Sequence, residues 1–65
     1  MPSSVVEHID YDIETQQLKI TFQSGDVYIY YDVPDDVYIQ FMQYKSKGFF
    51  LNKYIKDHFN YEKIQ

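Results

Sequence analysis

Lys45, Lys47, Lys53 and Lys56 fall within twelve residues of one another, around Ser46, Gly48 and Asn52. Ammonium groups, a hydroxyl and a carboxamide so close together suit one kind of chemistry, the holding of an anion. The start of a helix would add backbone amides and a favourable dipole. A purely structural account fits the same residues. In it Gly48 lets the chain turn between two helices, Ser46 caps an exposed helix end, and Asn52 hydrogen-bonds the turn. The lysines are then an ordinary solvated helix face.

The rest of the chain offers less. His8 and His58 lie fifty residues apart in no metal-ligand pattern. Asp10, Asp12 and Glu14 imitate the opening of a calcium loop. Thr15, however, stands where that loop needs glycine, and Thr21 where it needs a bidentate glutamate. They read as a solvated turn. Ser3, Ser4, Ser24 and Ser46 have no histidine and carboxylate placed to activate them. With only Gly25 and Gly48, no glycine loop can cradle a phosphate. Cysteine is absent, which removes disulfides and thiolate metal sites. No catalytic group, metal, cofactor or small-molecule substrate is expected.

Charge divides the chain. Residues 1–44 carry Lys19 against eight carboxylates, a net of −7; residues 45–65 carry five lysines against two, a net of +3. A polyanion would be repelled by the first part and tolerated by the second. No apolar run approaches the roughly 20 residues of a membrane span, so a cytoplasmic protein that keeps away from membranes is expected.

These side chains must be positioned by a small core. Sixty-five residues form one expected domain, 1–65, close to the lower size for unaided folding. Thirteen aromatics, eight of them tyrosine, make that core feasible because each ring buries a large area. A first strand runs over Ser4–Tyr11, with a bulge near Glu7 and His8 to reconcile the uneven step from Val6 to Ile9. Leu18, Ile20 and Phe22 alternate cleanly with Lys19 and Thr21 in a second strand. The third begins at Val27, and its register decides the core. A three-residue loop, Gln23-Ser24-Gly25, with Gly25 left-handed, pairs Phe22 with Asp26, Ile20 with Tyr28 and Leu18 with Tyr30. Tyr28 and Tyr30 are then buried core rings, while Val27, Ile29 and Tyr31 face outward or meet a partner.

A helix follows from Val33 to Lys45. Pro34 sits in its first turn, Asp35 and Asp36 at its positive end, and Val37, Phe41 and Tyr44 form the packing stripe. Gly48 ends or redirects it. A second helix, from about Phe49 to His58, carries Leu51, Ile55 and Phe59 on one face and Lys53 and Lys56 on another. The expected fold is α+β: a small antiparallel three-stranded meander covered on one face by two C-terminal helices.

The order "SSVV..I.YD", "L.I.F..G..Y.Y..VP..VY" and "S.G.FLN..I...F" resembles the KTSC domain from Ser3 to about Tyr61. The family's Y-x-Y corresponds to Tyr28 and Tyr30. Its S-x-G and following Asn correspond to Ser46, Gly48 and Asn52, and a later Ile to Ile55. Asp10, Ile13, Tyr44 and Leu51 depart from the usual pattern. The family occurs at the C-terminus of some lysyl-tRNA synthetases and as free-standing small bacterial and phage proteins. The resemblance implies no catalytic group, and it raises the expectation of RNA binding.

The expected function is therefore a small non-enzymatic binding module. Its site would be Lys45, Ser46, Lys47, Gly48, Asn52, Lys53 and Lys56, its partner RNA, and Tyr28, Tyr30, Phe22 and Phe41 its core aromatics. The alternative is contact with a protein, or with a second copy, through the outer sheet face.

Overall fold

The computed structural model describes residues 6–65, and two hairpins build most of its sheet. β1 (Val6–Asp12) pairs antiparallel with β2 (Gln17–Phe22). Val6 lies opposite Phe22 and His8 opposite Thr21, which leaves Glu7 as the extra residue of a bulge. The bulge brings Val6, Ile9 and Tyr11 to the face of Phe22, Ile20 and Leu18. Ser4 and Val5, the expected start of that strand, lie outside the described residues.

The second hairpin has the three-residue loop. Gly25 N–H donates to Phe22 O and Phe22 N–H to Asp26 O, both at 2.9 Å, with Gly25 at φ +99°. β3 (Val27–Tyr30) then pairs Ile20 with Tyr28 and Leu18 with Tyr30. A Cβ added at Gly25 would meet no heavy atom within 4 Å, so only the backbone resists substitution there. Gly25→Ala should lower stability by about 1–2 kcal/mol, read from the denaturant midpoint. An unchanged midpoint would mean that the loop tolerates another turn type.

A fourth strand corrects the expected three. β4 (Tyr61–Lys63) pairs antiparallel with β3, giving the order β1-β2-β3-β4. The last residues continue the pairing: Ile64 N–H donates to Val27 O, and Val27 N–H to Gln65 O, each at 2.8 Å. The expected outer face changes accordingly. Val27 is buried, Ile29 half-buried, and Tyr31 donates its hydroxyl to Glu62 Oε1 at 2.8 Å.

α1 (Asp35–Gln43) begins after Pro34, which occupies the cap position, and Val37, Tyr38 and Phe41 pack on the sheet. Tyr11 stacks on Tyr38 at 4.3 Å and donates its hydroxyl to Val33 O at 2.6 Å. Tyr44 leaves the expected stripe. It takes extended backbone at the helix end and is exposed, so its ring is not carried on the helix's buried face.

The junction also differs from expectation. α2 (Lys47–Phe50) starts from Ser46, and Gly48 sits inside its first turn rather than at positive φ. α2 widens directly into a π-helical turn, Leu51–Ile55, where Lys56 N–H donates to Leu51 O at 2.8 Å, five residues back. This stretch starts earlier and ends sooner than the expected second helix. It buries Phe50, Leu51 and Ile55 against Leu18, Ile20, Tyr30, Val33 and Phe41. Among the described residues no helix is long and apolar enough to cross a membrane.

Candidate functional site

The structure divides the expected lysine site into two surfaces. At the junction Ser46 is a helix cap: its Oγ accepts from Phe49 N–H at 3.2 Å. Lys47 is turned back on the chain, its Nζ donating to Tyr44 O at 2.6 Å and Met42 O at 3.1 Å. These carbonyls lie at the C-terminal end of α1, where partial negative charge draws a cation. The hydroxyl and ammonium expected to meet an external anion are thus engaged within the fold, and Gly48 is helix backbone. Lys45 remains on the exposed surface.

Beside this junction lies an aromatic patch. Tyr44 stacks on Phe49 at 5.8 Å, and Phe50 contacts Tyr54 at 4.8 Å. Phe49 and Tyr54 are 48% and 43% exposed, and Lys53 Nζ lies 5.5 Å and 5.6 Å from their ring centroids. A cation and two half-exposed aromatic rings are therefore presented together. Lys56, expected on the same helix face as Lys53, looks elsewhere; the π-helical turn between them changes the spacing.

Lys56 and Asn52 line a second surface, a groove of about 380 Å³ between the helical segment and the β3–β4 side of the sheet. Its walls are aromatic. Phe22 meets Tyr28 edge-on at 5.7 Å, Tyr28 and Tyr30 lie nearly parallel at 6.4 Å, and Tyr61 tilts against both at 5.7 Å and 5.6 Å. Tyr30 is 3% exposed, whereas Tyr28, expected to be buried, is half-buried along the groove. Burial pushes the Tyr30 hydroxyl up to about 12, reinforced by Tyr28, Tyr61 and Asp57, so it is a neutral phenol near pH 7. Phe41, the remaining core aromatic, is fully buried and reaches neither surface. Tyr61 was not among the expected site residues, because a three-residue strand carries too little alternation to be read.

The other titratable groups stay dispersed. His8 Nε2 lies 3.2 Å from Asp10 on an open surface, and His58 Nε2 lies 3.1 Å from Lys53 O. Asp12 Oδ1 accepts from Glu14 N–H at 3.0 Å, a local turn contact. The described residues contain no group of three or more His, Asp or Glu that could hold a metal ion.

Known proteins share both the sequence and this architecture. The KTSC domain family model matches residues 2–59. A lysine–tRNA ligase of Nostoc punctiforme is 41% identical over 61 residues, which cover 94% of this chain but 11% of the ligase. The chain thus corresponds to a small part of that relative. A protein of Tsukamurella paurometabola is 37% identical over 57 residues, covering 88% of this chain and 85% of that one. Among solved structures, a KTSC domain protein from Yersinia pestis matches with a TM-score of 0.88 and 34% identity, over 100% of this chain and 94% of the other. By sequence and by fold, this chain belongs to the KTSC domain family.

Proposed function

We propose that the chain is a small non-enzymatic module of the cytoplasm that binds RNA weakly through its lysine-rich C-terminal third. The observation that carries this reading is Lys53 held over the exposed rings of Phe49 and Tyr54, with Lys45 and Tyr44 nearby in the chain. Single-strand binders combine cations that track the backbone with rings on which bases stack. The acidic first part of the chain confines a polyanion to this end. The related ligase is named for a tRNA, which agrees with an RNA partner.

A titration of backbone amide shifts with a single-stranded RNA at two salt concentrations tests this. Shifts should cluster between residues 44 and 56, and affinity should fall steeply with salt. Replacing Lys45 and Lys53 with Gln should lower the salt slope by about 0.7 for each phosphate no longer neutralised, with stability nearly unchanged because both side chains are exposed. No shifts at low salt, or binding indifferent to salt, would overturn the reading.

The second reading is a protein-contact or self-association module. Its expected surface, the outer sheet face, has Val27 buried and Tyr31 bonded to Glu62. Exposed Ile39 and Met42 on α1 now supply apolar surface for it. Apolar contact would persist, or strengthen, in high concentrations of a salting-out salt such as sulfate.

A further inference from the structure

We propose that the groove walled by Phe22, Tyr28, Tyr30 and Tyr61 is a subsite for one unstacked nucleotide, with its base against the rings and its phosphate at Lys56. This deepens the RNA-binding reading and rests on it. The groove lies apart from the Phe49–Tyr54 patch, so it adds a second point of contact rather than restating the first.

Its size and lining suit such a ligand. About 380 Å³ falls within the range of small-ligand sites, which are mostly apolar with a few placed polar groups. Tyr61 is 54% exposed while touching Tyr28 and Tyr30, so its ring is fixed by neighbours and open to stacking. Leu51 contributes apolar surface, and Asn52 adds a polar residue to the lining. Charge supplies the direction. Asp26, the carboxylate of the lining, is met by Lys63 Nζ at 3.6 Å. Lys56 belongs to no ion pair among the described residues. The groove therefore has at its edge a cation in no ion pair among the described residues, and a neutral phenol in its wall on which the nearby Asp57 carboxylate also acts, so Lys56 is the group there that an anion can meet. A base stacked within a duplex cannot enter, which selects single strands.

Uridine monophosphate, uridine and inorganic phosphate, each titrated separately from a single-stranded RNA, provide the test. Uridine monophosphate should shift Tyr28, Asn52, Lys56 and Tyr61 saturably, and more tightly than uridine or phosphate alone. Tyr61→Leu keeps an apolar side chain but removes the ring, and should weaken mononucleotide binding about tenfold or more. Lys56→Gln should erase the advantage of the monophosphate over uridine. Should RNA shift only Lys45, Phe49, Lys53 and Tyr54, the groove proposal falls and RNA binding stands. Should uridine monophosphate fill the groove while no RNA binds, the nucleotide site stands and the RNA reading falls. Equal occupancy by a capped tyrosine amide would overturn the nucleotide assignment in favour of a peptide side chain. Wild-type shift mapping decides these outcomes even if Tyr61→Leu fails to fold.

Discussion

Tyr30→Ala will unfold the domain at 25 °C, while Tyr28→Ala will leave it substantially folded. The two tyrosines are two residues apart on one face of β3, yet Tyr30 is 3% exposed and Tyr28 borders the groove. Truncating a fully buried aromatic costs about 3–5 kcal/mol, from the transfer free energy of the ring and the cavity left behind. A single core of this size supplies only about 3–5 kcal/mol of net stability. The Tyr30 variant thus loses all or nearly all of it. Tyr28 surrenders less area, and solvent already reaches its site, so about 1–2 kcal/mol is expected. Circular dichroism with urea titration of both variants checks the contrast. Equal losses would mean that the groove side of Tyr28 is as closely packed as the core.

Alkaline pH should destabilise the protein by a comparable amount. Burial, then Tyr28, Tyr61 and Asp57, raises the Tyr30 hydroxyl from its ordinary value of 10 to about 12. Below pH 10 the phenol is neutral in both states, and the full stability is present. Between pH 10 and 12 the unfolded chain releases the proton while the folded chain holds it, so folding becomes progressively less favourable. The loss amounts to about 2–3 kcal/mol above pH 12. Urea midpoints at pH 9 and pH 11.5 should therefore fall sharply in the wild type and less in Tyr30→Phe, which has no proton to lose. Parallel falls would assign the alkaline limb to other groups.

Local rules carry far through this fold, and their reach can be followed residue by residue. Gly25 at the third loop position implies a left-handed turn, and that turn pairs Leu18 with Tyr30. The uneven step from Val6 to Ile9 is legible as a bulge because a strand must keep its apolar residues on one face. Helical spacing likewise marks Phe41, Leu51 and Ile55 as core. The helix ends are less legible. Gly48 attracts a junction by its residue type, yet Tyr44 breaks the helix earlier and Ser46 begins the next segment. The π-helical turn has no signature in a spacing argument built on regular helix periodicity.

For the candidate site the division is sharper. Lysines clustered in sequence diverge in space: Lys47 folds back on α1, Lys53 covers two rings and Lys56 borders the groove. By itself the sequence determined the antiparallel hairpins, the register of the second and the acidic–basic division of the chain. Each depends on neighbouring residues, through turn sterics, alternation or net charge. Only the tertiary structure decided that Tyr61 returns beside Tyr28 and Tyr30, and that Asn52 and Lys56 close the groove opposite them. Those pairings join residues more than twenty positions apart, and β4 is selected by the open edge of β3 rather than by any preference within its own three residues.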